Sequence, residues 1–99
     1  MAMTVIVAGK VFVDASERDR FVDAHQEIVR RARECPGCLD VSISADPVEP
    51  GRVNIFEYWE SEEVLDAWRA VSPRPATSVA IEVVEVLKHR VSSSGPPFG

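Results

Sequence analysis

Basic residues are scarce in this sequence, and their scarcity limits the partners that it can have. The chain has 11 lysines and arginines against 16 aspartates and glutamates, so its formal net charge is −5 at pH 7. A protein that binds nucleic acid needs a basic surface to neutralise phosphates, and a protein that docks to an anionic membrane uses clustered lysines and arginines. The composition therefore argues against both kinds of partner.

Long apolar stretches are also absent. None approaches the roughly 20 residues of a transmembrane helix, and residues 1–4 lack the basic stretch that opens a signal peptide. We therefore expect a cytoplasmic protein. Its 99 residues are enough for one domain, and a hydrophobic content of 45 % can supply a core.

Cysteine occurs only as the pair Cys35 and Cys38, in the sequence Cys-Pro-Gly-Cys. This spacing is that of a redox dithiol or of half a zinc site. A redox pair is activated at the start of a helix, whereas this pair follows a predicted helix end, where the helix dipole disfavours a thiolate. A zinc site needs about four ligands, and the sequence has no second cluster of cysteine and histidine. The pattern therefore favours neither redox nor metal function.

Four strands are predicted from the apolar pattern. Residues 4–13 are rich in β-branched side chains and apolar on both sides, which is typical of a strand buried on both faces. Residues 38–46 alternate between apolar and polar, which indicates a strand with one buried face. Residues 52–60 are rich in aromatic side chains, and residues 78–91 form the last predicted strand.

Two helices are predicted from apolar residues at helical spacing. The first begins at the N-cap Ser16 and ends near residue 34, just before Pro36. The second begins at the N-cap Ser61 and is ended by Pro73. The resulting order is β-α-β-β-α-β.

This order predicts a ferredoxin-like α+β domain over residues 4–91, followed by a disordered tail at residues 92–99. Because crossovers between strands are right-handed, both helices should lie on one face of an antiparallel four-stranded sheet. The opposite face is then bare. We define the helix-covered face and the bare face of the sheet by this difference.

The bare face is predicted to be apolar, apart from Asp40, Ser42 and Ser44 of the second strand. An apolar face of this size needs a cover, and the same face of a second chain is the simplest one. The sequence therefore predicts a homodimer, the alternative being a monomer whose side chains are assigned to the wrong faces. Alternation within each strand assigns to the bare face Ile6, Ala8, Phe12, Phe56, Tyr58, Val84 and Val86.

The helix-covered face is predicted to carry the functional side chains. His25 lies within the apolar stripe of the first helix, and Trp68 lies within that of the second. Glu57 and Trp59 share the parity of the apolar residues of the third strand, and Arg69 is placed at the rim. An apolar cleft with a few polar groups is the usual form of a site for a small molecule.

Each of these side chains also has an ordinary structural role open to it. A lone histidine on an apolar face is commonly a hydrogen-bonded core residue, and tryptophans commonly fill cores. Glu57 could be solvated or paired with an arginine, and Arg69 could be solvated. Asn54 has the opposite parity and is expected to face the dimer partner.

Two junctions between elements resemble those of a known family. Residues 34–39, with the sequence ECPGCL, look like its E-x-P-G-C junction between helix and strand. Residues 56–63, with the sequence FEYWESEE, look like its E-x-W-x-S junction between strand and helix. Together with the element order, they resemble the antibiotic biosynthesis monooxygenase (ABM) domain family over residues 4–90.

The resemblance implies a dimeric α+β barrel, which agrees with the homodimer inferred from the bare face. Members of this family oxygenate aromatic polyketides to quinones without a cofactor, and a related branch degrades heme. The resemblance also implies a role for Trp59, which matches the tryptophan on the family's strand.

Three positions depart from the family's pattern. Many members carry a histidine on the second helix, where this chain has Trp68 and Arg69. Heme-degrading members use an asparagine on the first strand, where this chain has Gly9, and quinone-forming members have an asparagine where this chain has Ile55. The iron ligand is therefore missing, and the polyketide mechanism does not carry over intact.

The leading hypothesis is a cofactor-independent monooxygenase that acts on a small aromatic, polyketide- or quinol-like substrate and dioxygen. His25 and Trp59 are its candidate catalytic residues, because imidazole exchanges protons near neutral pH and an indole N–H can hold an oxygen. Trp68, Glu57 and Arg69 are candidates for substrate binding. The hypothesis requires no metal and no other cofactor.

Three alternatives remain open from the sequence. The first is a protein of the same fold that binds an aromatic metabolite without catalysis. The second is a heme-degrading enzyme, and the third is a purely structural dimer.

Overall fold

The structure is a computed structural model that describes residues 3–99. Its four strands form one antiparallel sheet in the order β2-β3-β1-β4, which confirms the ferredoxin-like α+β fold. The elements in chain order are β1 (Val5–Phe12), a 3-10 turn (Ala15–Glu17), α1 (Arg18–Ala24), α2 (Gln26–Glu34), β2 (Cys38–Ala45), β3 (Arg52–Trp59), α3 (Glu62–Val71) and β4 (Val83–Arg90).

The core lies between the helices and one face of the sheet. Alternate residues of β1 point into it, and Val5, Val7 and Val11 are each at most 5 % exposed. Ala32 of α2 and Leu65 of α3 pack in the same cluster as Val5 and Val7. Both helical layers therefore cover the same face, as the right-handed crossovers predict.

The first predicted helix is interrupted at His25, which separates α1 from α2. The backbone N–H of His25 donates to the carbonyl of Val22 at 3.0 Å, so the chain tightens to an i→i−3 bond at this point. The prediction of Ser16 as the N-cap is wrong. Asp14 is the cap: its carboxylate accepts the Ser16 N–H at 2.9 Å, and the helical turn begins at Ala15, two residues before the start that a Ser16 cap implies.

The N-cap Ser61 is confirmed. Its hydroxyl accepts the backbone N–H of Val64 at 3.2 Å, and Glu62 and Glu63 occupy the first turn of α3. Ser61 is itself buried, so this cap fixes the start of α3 against the core.

The last strand differs from its prediction in length and in orientation. It begins at Val83 rather than at residue 78, and Val84 lies opposite Val11 in the pairing with β1. Val86 lies opposite Gly9 and packs against both core clusters. Directly opposite residues share a face, so the assignment of Val84 and Val86 to the bare face is wrong.

The bare face is uncovered and combines apolar side chains with polar ones, among them Lys10, Arg52 and Asn54. Ile6, Phe56 and Tyr58 are half-buried there, because neighbouring side chains of the sheet shield them. β4 adds Val83 and Leu87, which are 46 % and 66 % exposed. The apolar character expected from alternation is thus present only in part, and on β4 different residues from those predicted contribute to it.

Gly9 allows β1 and β4 to come together at the middle of the sheet. Its φ of +153° is in the region that glycine tolerates, and a Cβ there would lie 2.0 Å from the carbonyl oxygen of Glu85. Any side chain at this position would push the two backbones apart.

The C-terminal segment after β4 does not extend the sheet or the helical layer. Residues 92–99 form neither helix nor strand. Within residues 3–99, the helices are too short and too polar to cross a membrane.

Candidate functional site

A cavity of about 340 Å³ lies between the helix-covered face and the helices. All four strands contribute to its floor, and its walls come from the α1–α2 junction, α3 and the loop after α3. This volume is at the lower end of the range of small-molecule sites. Its lining residues are Val11, His25, Ile28, Ile43, Ile55, Glu57, Trp68, Arg69, Ser72, Pro73, Pro75 and Val86.

His25 is held by two contacts with Phe21, one turn before it. Its Nδ1 lies 2.8 Å from the Phe21 carbonyl oxygen, and the two rings lie with centroids 4.4 Å apart. A carbonyl oxygen only accepts, so Nδ1 carries the hydrogen in this bond. In the neutral imidazole the lone pair is then on Nε2, which leaves that nitrogen able to accept a proton.

Glu57 extends from β3 to the cavity, and its carboxylate is held by a hydrogen bond from the core. The Nε1–H of Trp59 donates to Oε1 of Glu57 at 3.1 Å. This bond orients the carboxylate and leaves Oε2 for another partner. A half-buried carboxylate held by a single indole N–H is a suitable acceptor for a hydroxyl group of a ligand.

Trp59 does not line the cavity. It is completely buried, and Trp68 stacks over it with ring centroids 6.3 Å apart and an interplanar angle of 26°. Trp68 therefore presents its indole to the cavity, while Trp59 supports both Trp68 and Glu57 from the core. Of the two tryptophans predicted to line the cleft, only Trp68 does so, because alternation reveals the side of a residue and not its depth.

Arg69 is exposed and also lines the cavity, which places it at the opening. Four of the five predicted site residues therefore come together around one cavity, namely His25, Glu57, Trp68 and Arg69. The chemistry that they offer is a lone pair on imidazole, a carboxylate acceptor, an indole surface and a cation at the entrance.

Ser72 and the prolines of the following loop also line the cavity and were not predicted. Ser72 follows Trp68 by four residues, and residues at this spacing share a helix face. That spacing is the signal that could have identified it. Pro73 and Pro75 stop α3 and carry the chain across the cavity before β4 begins.

A larger groove of about 680 Å³ runs between β2 and the outer side of α1 and α2. The two arginines that line this groove already have partners within the protein. Arg30 pairs with Glu27 and Glu34, and the Nε–H of Arg33 donates to the Val41 carbonyl at 2.8 Å. This groove therefore offers less chemistry than the smaller cavity.

The two cysteines lie away from the cavity. Both thiols are free and half-buried, and both pack against the core cluster that contains Trp59. Burial is the main cause that raises the pKa of the Cys38 thiol. Across residues 3–99, no group of three or more histidine, cysteine or acidic side chains is placed to hold a metal ion.

Comparison with known proteins adds a family and a set of relatives. Residues 4–73 match the family model described as antibiotic biosynthesis monooxygenase. An uncharacterized protein from Synechocystis is 29 % identical over 62 residues, which are 63 % of this chain and 42 % of that protein. The chain thus spans less than half the length of this curated relative.

Solved structures show the same fold at low sequence identity. A candidate antibiotic biosynthesis monooxygenase from Nitrosomonas europaea has a TM-score of 0.72 and 12 % identity, over 93 % of each chain. The heme-degrader MhuD from Mycobacterium tuberculosis, solved with two hemes in its active site, has a TM-score of 0.65 and 16 % identity, over 94 % of this chain and 99 % of MhuD.

Proposed function

Because the chain belongs to the antibiotic biosynthesis monooxygenase family, we propose that it is a cofactor-independent monooxygenase for a small aromatic substrate. The substrate is an acidic phenol or anthrone, bound in the cavity between the sheet and the helices. The observation that carries this proposal is the Nδ1 hydrogen bond of His25, which leaves a proton-accepting nitrogen beside an indole surface.

The reaction begins with transfer of a proton from the substrate to Nε2 of His25. The electron-rich anion then reacts with dioxygen, and loss of water gives a quinone. One oxygen atom enters the product and the other leaves as water with two hydrogens of the substrate. The substrate supplies all the electrons, so the balance requires no external reductant.

The other side chains of the cavity bind and orient the substrate. Trp68 stacks on the flat ring system, and Oε2 of Glu57 accepts a substrate hydroxyl. Arg69 at the opening stabilises the anion. Trp59 is a positioning residue, since it acts through its hydrogen bond to Glu57 and its stacking on Trp68.

The proposal includes a homodimer in which two bare faces meet and complete an α+β barrel. It is supported by the apolar residues Ile6, Phe56 and Tyr58, and by the exposed side chains Val83 and Leu87 of β4. Water would otherwise contact this entire surface. A concentration-dependent molecular mass in sedimentation experiments is the expected result.

The test is oxygen consumption by the purified chain with an anthrone as substrate. We expect His25→Ala to reduce the rate at saturating substrate by about 100-fold or more, as for loss of a general base. The control is Arg31→Ala, because Arg31 is an exposed residue of α2 that lies neither in the cavity lining nor on the bare face. Equal rates for His25→Ala and the unmodified protein would contradict the proposal.

Binding without turnover would instead favour the alternative of a non-catalytic binding protein. In that case an aromatic ligand quenches tryptophan fluorescence to saturation, and no oxygen is consumed. Trp68→Phe should weaken the quenching, since Trp68 is the tryptophan that lines the cavity.

A heme-degrading role is the remaining enzymatic alternative, given the fold shared with MhuD. The cavity holds His25 as its histidine, and Gly9 on β1 has no side chain to assist a bound heme. A heme titration that shifts the Soret band, and that His25→Ala abolishes, would favour this role over the proposed one.

A further inference from the structure

The sequence Cys35-Pro36-Gly37-Cys38 forms a tight turn between α2 and β2. The Cys38 N–H donates to the Cys35 carbonyl at 3.0 Å, and Gly37 has a φ of +90°. Proline at the second position and a positive φ at the third identify a type II β-turn. In such a turn the first and fourth Cα atoms are less than about 7 Å apart, a separation that a disulfide can bridge.

Both cysteine side chains are half-buried at the two ends of this turn. Cys35 and Cys38 both pack against one core cluster, formed by side chains of β1, β2, β3, α2 and α3. Two backbone contacts hold the turn in place. The Gly37 carbonyl accepts the N–H of Glu60 at 2.9 Å, and Cys38 pairs with Trp59 across the two strands.

We propose that Cys35 and Cys38 are a thiol–disulfide exchange site, which low-molecular-weight disulfides oxidise to an intramolecular disulfide. The Cys35 thiolate attacks the small disulfide and expels one thiolate, which leaves a mixed disulfide on Cys35. The Cys38 thiolate then attacks the Cys35 sulfur and expels the second thiolate. In sum the protein loses two hydrogen atoms and the small disulfide becomes two thiols.

The surroundings of Cys38 determine this order of attack. Burial, and then the negative charges of Cys35, Asp40 and Glu57, raise the pKa of the Cys38 thiol, so Cys35 reacts first. A mixed disulfide on Cys35 removes the charge of that thiolate. Cys38 then ionises more readily, which promotes closure of the ring.

This site differs from an activated redox dithiol. The pair follows the C-terminal end of α2, where the helix dipole disfavours a thiolate. The turn supplies proximity instead, so the folded chain favours the disulfide at equilibrium without accelerating the first attack. Slow but stable oxidation is therefore expected.

The experiment equilibrates the full chain with mixtures of reduced and oxidised glutathione, followed by acid quenching, alkylation and intact mass spectrometry. We expect one product that has lost two hydrogen atoms, carries no glutathione and is reversed by dithiothreitol. Half-oxidation should require at least about tenfold less oxidising mixtures for the folded chain than for the same chain in guanidinium chloride. An equal or reversed ratio would overturn the proposal, and so would a disulfide between two chains.

Two matched variants test the order of attack. Cys38→Ser should stop at a glutathione adduct on Cys35, whereas Cys35→Ser should remain largely unmodified over the same time. Adducts that form at equal rates in both variants would contradict the assigned roles. Circular dichroism of each variant establishes that it is folded, and Pro36→Ala provides a third check, since a less preorganised turn should need a more oxidising mixture.

Discussion

The two faces of the sheet have different surroundings, and the same strand buries its aromatic side chains to different depths on each of them. On the helix-covered face, Val5, Val53 and Trp59 are at most 1 % exposed. On the bare face, Phe56 and Tyr58 of the same β3 strand remain half-buried with their rings 6.3 Å apart. An aromatic side chain of β3 is therefore fully buried only on the face that another element covers.

The faces also differ in the chemistry that they can support. The helix-covered face forms the floor of a cavity with an imidazole, a carboxylate and an indole, whereas the bare face mixes apolar with polar side chains. The helices exclude water from one side and leave the other side available for association. The cavity floor and the bare face are thus formed by the same strands, through alternate residues.

The largest expected effect comes from truncating one aromatic residue on each face of β3. Trp59→Ala removes a fully buried side chain and should lower the free energy of unfolding by about 3–5 kcal/mol. Phe56→Ala should cost only about 1 kcal/mol in dilute protein, because its ring is half-buried. Urea unfolding at two protein concentrations measures both.

The concentration series decides whether the bare face associates. A dimer makes the unfolding midpoint of the unmodified chain rise with protein concentration, and Phe56→Ala should abolish that rise. If Phe56→Ala costs as much as Trp59→Ala at every concentration, the contrast between the faces is contradicted.

A smaller effect is expected where the sheet requires glycine. Gly9→Ala places a methyl group against the backbone of Glu85 and should destabilise the fold by more than about 1 kcal/mol. The matched control is Gly95→Ala in the C-terminal segment, where a Cβ meets no atom within 4 Å, and its effect should stay within about 0.5 kcal/mol. Equal thermal midpoints for the two variants would show that β1 and β4 do not need this close contact.

The smallest effect on stability is expected for the hairpin formed by β2 and β3, whose second strand carries two polar residues of the bare face, Arg52 and Asn54. The pKa of Asp46 is lowered to about 2, first by the backbone N–H of Glu49 and then by the Asn54 amide. The unfolded carboxyl has a pKa of about 3.9. The resulting stabilisation is complete above that value and is lost as the pH falls through about 2.

Asp46→Asn should therefore flatten the decrease of the thermal midpoint between about pH 4 and pH 2. Asp66→Asn, on the exposed side of α3, controls for the loss of one charge. If both variants retain the slope of the unmodified chain, Asp46 does not secure the hairpin.

The sequence predicts the element order and the covered side of β1 and β3, because local alternation and capping are strong there. The prediction fails for β4, because the sequence VVEVL has apolar residues on both sides of the strand. Only the pairing with β1 determines which of them face the helices. Helical spacing and strand parity brought His25, Glu57 and Trp68 to one cavity, as predicted. The depth of Trp59 and the path of the proline-containing loop depend on contacts between distant segments, which no local pattern contains.

The two outer edges of the sheet have a consequence for how many chains can join. On β2, Arg33 occupies the carbonyl of Val41, and the pairing with β3 shifts register between Cys38 and Asp40. Such features obstruct the addition of another strand, whereas β4 is exposed along nearly its whole length. Such a chain can pair with a further strand at only one edge of its sheet, through β4. Strand pairing of this kind is separate from the packing of two bare faces. A sheet extended by pairing of two β4 strands would expose only obstructed β2 edges, so strand addition within that sheet would stop there.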